Sequence, residues 1–301
     1  CGRCMRIIIL GYTSFVGRAV SDYFRSIKDV ELVHIGREDS NLHKVIKFEV
    51  VNDIKLLDNT VSNLIDGLDL NNKSVVINCI SMGDLDKCEL NQEDCEMQNY
   101  HFVKILYNHL KNSNFKKLIN FSSNAVYSGN NPPYNEQSEC APINFYGKVK
   151  LKIDQYLLGQ GDARVVVARP ITMYGRVPHN DKLNPVSMII SNLRDGRKMR
   201  LTSDVVVNLL YVGDLVKTIE KILEIDFSGL INISGNKAYS RYDLGMEIVE
   251  LLNIKESLIE SVTSAEFNDI ASRPLNTSFD NALMRGLGVH PRSLRQVIKS
   301  F

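Results

Sequence analysis

Residues 7–17 read IIILGYTSFVG, a run of four long or branched apolar residues followed at once by a turn bounded by two glycines. A continuous apolar run of this length is typical of a strand that is buried on both faces. Apolar residues at helical spacing over residues 16–27 begin directly after the turn. A strand, a tight turn and a helix in this order predict the first unit of a parallel sheet.

The same alternation continues along the first half of the chain. Short runs rich in Val and Ile predict strands at residues 6–10, 31–35, 74–80, 117–122 and 164–168. Helical spacing predicts crossover helices at residues 16–27, 54–65, 95–110 and 147–158. The alternation predicts the α/β class, with a Rossmann-type doubly wound parallel sheet.

The second half of the chain departs from this alternation. Pro170, Pro178 and Pro185 interrupt the pattern, and a helix over 186–193 and a strand over 230–234 follow. We therefore expect a Rossmann-type domain and a smaller C-terminal lobe interleaved with the end of the sheet. The expected Rossmann domain comprises residues 5–169 and 208–235, and the expected lobe comprises residues 170–207 and 236–301.

The composition excludes several classes of function. The 301 residues include 36 basic and 35 acidic side chains, and this balance offers no general attraction for nucleic acid or an anionic membrane. No apolar run approaches the ~18 residues of a membrane span, so we expect a cytoplasmic protein. Six irregularly spaced cysteines fit a reducing compartment. Cys1 and Cys4 form a lone CxxC, and we interpret residues 1–4 as an extension without a metal.

The glycine turn has the spacing GxxSxxG, from Gly11 through Ser14 to Gly17. Unpaired N–H groups and the positive end of the dipole at a helix N-terminus attract phosphate. The position of the turn, after the first strand and about twenty residues before the second, is typical of dinucleotide binding. The alternative interpretation is that the motif is only a tight connection between a strand and a helix. The turn residues expected to bind a dinucleotide are Gly11, Thr13, Ser14, Phe15, Val16 and Gly17.

The second predicted strand is followed by a basic residue. It ends in His34, Ile35 and Gly36, and Arg37 stands where a carboxylate would hold the 2′-hydroxyl of NAD. A guanidinium pairs well with phosphate oxygens, so Arg37 favours NADP over NAD. The alternative is a solvated surface arginine close to the acidic residues 38 and 39.

Three polar residues could form a catalytic group. Tyr146 and Lys150 are spaced i to i+4, which places both side chains on one face of a helix. A nearby ammonium stabilises phenolate, so we expect Lys150 to lower the pKa of Tyr146 towards working pH. Ser123 follows a buried strand at the sheet edge where ligands bind, whereas strand alternation directs Ser122 elsewhere.

Taken in order, these motifs resemble those of the extended short-chain dehydrogenases/reductases over nearly the whole chain. Further stretches are similar to the dTDP-4-dehydrorhamnose reductase group within that superfamily. They are DKCE at 86–89, Asn99, PINFYGK at 142–148, SRY at 240–242 and RPLN at 273–276.

The resemblance implies a reaction and roles for the residues. The implied reaction is transfer of hydride from NADPH to the keto group of a nucleotide-activated deoxysugar. Tyr146 would donate the proton, Lys150 would also hold the nicotinamide ribose, and Ser123 would bond the substrate oxygen. The residues that would pass close to the cofactor in this family are Asn78, Cys79, Ile80 and Asn99.

The resemblance also indicates substrate contacts. Arg273 occupies the position at which the family binds the nucleotide diphosphate, and Asn124 follows the catalytic serine. Asn184 either reaches the ligand or caps the helix that follows it. Leu209 and Leu210 stand where rhamnose-type reductases often carry Pro-Thr, so the sugar is not identified.

Three other functions compete with reduction. A nucleotide-sugar 4,6-dehydratase is disfavoured because Asn124 and Ala125 cannot act as acid or base. A 4-epimerase uses the same three residues but must retain NAD, which Arg37 disfavours. A non-catalytic NADP-binding subunit is the third possibility, since the regulatory subunit of methionine adenosyltransferase resembles the same group.

The oligomeric state has two interpretations. The helices over 95–110 and 147–158 could pair with their symmetry mates in a homodimer, as in related reductases. Their apolar stripes equally suit packing against the sheet.

Overall fold

The computed structural model describes residues 4–38, 44–176 and 183–301. Residues 1–3 of the expected extension lie outside the described residues, as do Asp39 and Pro178. Cys4 directly precedes the first strand and is a free thiol.

Strands and helices alternate through the first half of the described chain. The strands are β1 (Met5–Leu10), β2 (Val30–Gly36), β3 (Val45–Lys47), β4 (Ser74–Asn78), β5 (Lys117–Phe121), β6 (Val165–Pro170), β7 (Met173–Tyr174), β8 (Met199–Thr202), β9 (Val206–Val207), β10 (Leu210–Tyr211), β11 (Gly229–Ile233), β12 (Tyr239–Ser240) and β13 (Ile259–Val262). The α-helices are α1 (Phe15–Arg25), α2 (Ile54–Gly67), α3 (Leu85–Leu90), α4 (Gln92–Glu96), α5 (Phe102–Leu110), α6 (Phe145–Leu158), α7 (Pro185–Arg194), α8 (Val212–Glu224), α9 (Arg241–Leu252), α10 (Ala282–Gly286) and α11 (Leu294–Val297).

The central sheet has seven strands in the order β11-β6-β5-β4-β1-β2-β3. Strand β1 pairs in parallel with β2 on one side and with β4 on the other. The strand order therefore reverses beside β1, and ligands of doubly wound sheets bind at the carboxyl ends of the strands at such a point. The expected Rossmann-type fold is confirmed.

The apolar runs form the centre of this sheet. Ile7, Ile8 and Ile9 of β1 are fully buried, because helices cover the sheet. Phe102 of α5 and Ile153 of α6 belong to the same hydrophobic cluster as the sheet residues. Both helices therefore place apolar side chains against the sheet, and the homodimer stays a prediction.

Strand β3 and the helix expected over 95–110 are two of the elements that differ from the sequence prediction. Strand β3 was not predicted, because three residues at the edge of a sheet are too few to display a period. The helix expected over 95–110 is made of α4, a π-helical turn at Met97–His101, and α5. A π-turn inserts one residue without changing the apolar character of its neighbours, so periodicity does not detect it.

The chain divides into two compact units. The first contains the chain up to Ser123, with Asn144–Ala168 and Ile222–Ile231. The second contains Asn124–Ile143, Arg169–Lys221 and Asn232–Phe301. Residues 124–143, 169, 208–221 and 232–235 therefore belong to the second unit, although we expected them in the Rossmann domain. Tyr134 accounts for part of this difference, since it forms a bridge with Phe279.

The second unit contains three small ladders. Strand β7 pairs with β10, β9 with β12, and β8 with β13. Helix α9 packs closely on strands β8 and β13. A Cβ on Gly245 of this helix would lie only 2.5 Å from Leu201 Cδ1 of β8. No helix in the described ranges is long and apolar enough to cross a membrane.

Candidate functional site

The glycine turn brings the ends of β1 and β4 together. Gly11 has a φ of +75°, and a Cβ on it would lie 3.0 Å from the backbone nitrogen of Ile80. A Cβ on Gly17 would lie 2.4 Å from the carbonyl oxygen of Gly11. Both glycines are therefore required by close backbone approach, which is the role that the motif predicted for them.

Ser14 has a function that a glycine could not perform. It is the N-cap of α1, and its Oγ accepts a hydrogen bond of 3.0 Å from the N–H of Gly17. An N-cap serine satisfies one of the N–H groups that a helix start leaves open. The departure from GxxGxxG is therefore compatible with the turn.

A cavity of about 310 Å³ opens beside the glycine turn. Six of its lining residues were predicted to bind the cofactor: Gly11, Thr13, Ser14, Arg37, Cys79 and Ile80. Six others were missed: Gly36, Phe48, Glu49, Val50, Ser81 and Gln98. The predicted cofactor residues that do not line this cavity are Phe15, Val16, Gly17, Asn78, Asn99, Tyr146 and Lys150.

Arg37 lies on the rim of this cavity beside a carboxylate. Its side chain is 72% exposed, and its Nη1 lies 3.8 Å from Glu49 Oε1. Both groups line the cavity. The rim therefore offers a cation suited to a phosphate and an anion suited to hydroxyl groups. Glu49 follows β3, and its position beside Arg37 could be predicted only if that strand had been recognised.

Asn78 does not line the cavity, and its side chain instead binds the backbone of a residue that does. Its Nδ2 donates to Asn120 Oδ1 at 2.8 Å, and its Oδ1 accepts from the N–H of Ile80 at 3.1 Å. Asn78 is 1% exposed. It thereby positions Ile80, which does line the cavity.

Asn99 lies in the π-helical turn and organises the segment after β4. It is fully buried, and its Oδ1 accepts from Ser81 Oγ at 2.7 Å and from the N–H of Met82 at 3.2 Å. Its Nδ2 donates to the Met82 carbonyl at 3.0 Å. The π-turn therefore presents a buried amide that orients Ser81, a residue which the sequence prediction missed.

Tyr146 lies in the first turn of α6, a helix capped by Asn144. It is 7% exposed, and its hydroxyl forms hydrogen bonds with the side chains of Ser123 and Ser81. Burial raises the pKa of Tyr146 to about 12 and outweighs these two bonds, which lower it. The net shift is thus opposite to the lowering by Lys150 that we expected. A phenol with this pKa keeps its proton at neutral pH.

Lys150 lies one turn further along α6, on the same face. Its Nζ lies 5.7 Å from the Tyr146 ring centroid and donates to the Phe121 carbonyl at 3.0 Å. Burial lowers the pKa of Lys150 to about 8, although the nearby Asp154 carboxylate raises it. Desolvation of both side chains therefore dominates the electrostatics of this pair.

The two neighbouring serines have different partners. Ser122 Oγ donates to Asp154 Oδ2 at 2.7 Å, whereas Ser123 bonds the Tyr146 hydroxyl. Strand alternation predicted this divergence. Ser123, Tyr146 and Lys150 are brought together in the first unit.

Three of the expected substrate residues, Asn124, Asn184 and Arg273, lie in the second unit. Asn124 Nδ2 donates to Thr277 Oγ1 at 2.6 Å. Arg273 Nε pairs with Asp269 Oδ2 at 3.2 Å, and the Arg273 side chain is 29% exposed. Asn184 caps α7, since its Oδ1 accepts from the N–H of Ser187 at 3.0 Å. The capping interpretation of Asn184 thus accounts for its side chain.

The structure offers no evident metal site within its described ranges. No group of three or more His, Cys, Asp or Glu side chains there could hold an ion. In this site a protonated phenol lies next to a hydroxyl and a buried amine. This arrangement supports acid catalysis by the phenol.

The chain is similar in sequence and in fold to several known proteins. Methionine adenosyltransferase 2 subunit beta of Pongo abelii is 26% identical over 313 residues, which cover 96% of this chain and 84% of that protein. A dTDP-4-dehydrorhamnose reductase from Clostridium acetobutylicum superposes with a TM-score of 0.80 at 23% identity, covering 99% of this chain and 98% of the other. One from Bacillus anthracis in complex with NADP has a TM-score of 0.78 at 20% identity, covering 99% and 98%.

At these identities the solved structures establish a shared fold. The profile of the family described as "RmlD substrate binding domain" matches residues 5–301. Because this match extends over nearly the whole chain, it includes the glycine turn, Ser123, Tyr146 and Lys150. The chain belongs to the RmlD substrate-binding-domain family.

Proposed function

We propose that the protein reduces the keto group of a nucleotide-activated deoxysugar with NADPH. The observation that carries the proposal is the hydrogen bond between the hydroxyls of Tyr146 and Ser123, with Lys150 one helical turn away. A binding module has no need of a buried phenol, a hydroxyl and a buried amine in this arrangement.

Each site residue has a separate role in the proposed reaction. The nicotinamide supplies a hydride to the carbonyl carbon when it is bound. Tyr146 donates its proton to the carbonyl oxygen, and its raised pKa ensures that this proton is present at neutral pH. Ser123 donates a hydrogen bond to the same oxygen as negative charge develops there. Lys150, when protonated, stabilises the phenolate that Tyr146 becomes.

The residues around the cavity fit a dinucleotide. The turn from Gly11 to Gly17 allows a pyrophosphate to approach the start of α1. Arg37 supports NADP because its exposed guanidinium can pair with a 2′-phosphate. Glu49 lies close to that guanidinium, and we propose that it accepts a hydrogen bond from the adenosine ribose.

A second candidate is supported by a specific observation. The methionine adenosyltransferase subunit, described as subunit beta, is similar to 96% of this chain. This likeness supports a non-catalytic role in which the chain binds NADP and a partner protein. The same Ser123, Tyr146 and Lys150 would then lack a substrate.

The test is turnover by the purified chain. NADPH or NADH is mixed with a panel of nucleotide-linked 4-keto-6-deoxy sugars, and loss of the reduced cofactor is followed by absorbance. We expect NADPH oxidation by the wild type and a loss of about 10²- to 10⁴-fold in Tyr146→Phe, which lacks the acid. Tight NADP binding without oxidation of any ketosugar would overturn the proposal in favour of the regulatory role. Interconversion of sugars without net cofactor oxidation would instead identify a 4-epimerase.

A further inference from the structure

The second unit contains a cavity of about 190 Å³. Its lining residues come from β7, β12 and α9 and from the chain around residues 209, 236 and 292–295. None of them lines the cavity beside the glycine turn. Sites for drug-sized ligands have volumes of roughly 300 to 1,000 Å³, so this cavity has room for a ligand of about one ring.

Tyr174 of β7 brings a buried hydroxyl to this cavity. The residue is 3% exposed and belongs to the cavity lining. Burial is the largest cause of its raised pKa, and no hydrogen bond contributes to that shift. The hydroxyl therefore keeps its proton at neutral pH and has no hydrogen-bond partner among the residues that the structure describes. A buried hydroxyl without a partner favours a ligand that accepts its hydrogen bond.

Arg292 supplies a fixed cation in the same lining. Its Nε donates to Asp214 Oδ1 at 2.8 Å, and its guanidinium carbon lies 4.5 Å from the centre of the Tyr211 ring. The two Nη groups form no hydrogen bond with any described residue, and the side chain is 43% exposed. The positive charge of Arg292 also lowers the pKa of Tyr174, so it acts on the same hydroxyl. Arg292 thus offers two preoriented donors for an oxyanion.

The remaining charges in the lining limit the charge of a ligand. Lys237 pairs with Glu247, which also accepts a hydrogen bond of 2.9 Å from the Tyr239 hydroxyl. Arg295 pairs with Glu250 at 2.9 Å. Because Glu247 places a negative charge in the lining, a single negative charge suits the cavity better than two.

Apolar side chains complete the lining. Leu209, Leu244 and Leu294 are 5%, 1% and 3% exposed. The ring of Tyr239, at 7% exposure, adds an aromatic surface. Ligand sites commonly combine such an apolar lining with a few polar groups that orient the ligand.

We propose that this cavity binds a small aromatic carboxylate. The carboxylate accepts hydrogen bonds from the Nη groups of Arg292 and from the Tyr174 hydroxyl, and the ring lies against the three leucines. This binding does not depend on ketosugar reduction, because the residues that carry it belong neither to the glycine turn nor to the group of Ser123, Tyr146 and Lys150.

The first test is calorimetric titration of the full chain with benzoate and phenylacetate. We expect a Kd of about 1 mM or tighter for at least one of them. Benzamide, which has the same shape as benzoate but no charge, should bind at least tenfold more weakly. Absence of binding by both carboxylates at about 10 mM, or equal affinity for benzoate and benzamide, would overturn the proposal.

Variants then assign the binding to this cavity. Tyr174→Phe should weaken carboxylate binding about tenfold, Arg292→Gln at least tenfold and Arg292→Lys less than Arg292→Gln. Arg197→Gln is the control, because Arg197 is an exposed, ion-paired arginine of the second unit outside the cavity. An unchanged affinity in Tyr174→Phe and Arg292→Gln, or an equal loss in Arg197→Gln, would place the binding elsewhere and reject the site.

Thermal unfolding without ligand separates binding from a structural role. Tyr174→Phe removes a hydroxyl without a partner, so its Tm should stay within about 2 °C of the wild type. A Tm lower by more than about 4 °C would mean that the hydroxyl stabilises the fold, and the proposal would then be wrong.

Discussion

The stability of the protein should depend on pH through Lys150. Burial lowers the pKa of Lys150 from 10.5 to about 8, so the unfolded chain binds this proton more tightly than the folded chain does. Below about pH 8 both states carry the ammonium, and the folded state bears the full penalty of burying it. As pH rises from about 8 to 10.5, the folded amine loses its proton first, and the free energy of unfolding therefore increases.

The magnitude follows from the two pKa values. Linkage predicts that Lys150 raises the free energy of unfolding by roughly 2 to 3 kcal/mol between about pH 7 and about pH 10. Lys150→Met removes the titrating group and should remove this increment. Lys148→Met is the matched control, because Lys148 is an exposed lysine on the same helix.

The assay is urea unfolding followed by far-ultraviolet circular dichroism at several pH values. The difference between wild type and Lys150→Met, plotted against pH, should rise by roughly 2 to 3 kcal/mol, while the difference between wild type and Lys148→Met stays flat. Parallel pH profiles for the wild type and Lys150→Met would refute the reasoning, since they would mean that burial does not disfavour the ammonium.

Two further variants test the cofactor end of the molecule. Gly17→Ala should destabilise the fold by about 1 to 3 kcal/mol, because the new Cβ would lie 2.4 Å from the Gly11 carbonyl oxygen. Gly67→Ala is its control, since a Cβ there meets nothing within 4 Å; equal Tm values for the two variants would contradict the steric argument. Arg37→Ser should raise the KM for NADPH about tenfold and leave that for NADH nearly unchanged. A proportional rise in both values would show that Arg37 does not contact the 2′-phosphate.

Much of the cofactor end was predictable from the sequence. The run Ile7–Leu10 and the glycine turn after it predicted a buried strand and a tight turn into a helix, because both depend on local spacing. The spacing of Tyr146 and Lys150 predicted one helix face, and alternation distinguished Ser122 from Ser123. The spacing of side chains along a strand or a helix depends only on residues close together in the chain, so it can be predicted from the sequence.

The remaining features depend on residues that meet only in the folded chain. Ser81 reaches Tyr146 because Asn99, in a π-turn without a sequence signature, orients it. Glu49 reaches the cavity through a strand too short to be predicted.

The sequence by itself determined the order of strands and helices, the turn that suits a dinucleotide and the three candidate catalytic residues. The tertiary structure alone decided the pKa values of Tyr146 and Lys150. Lys150 was expected to lower the pKa of Tyr146, but burial raises the pKa of the phenol and lowers that of the amine. The physical reason is that desolvation depends on every atom packed around a group, and those atoms come from distant parts of the chain.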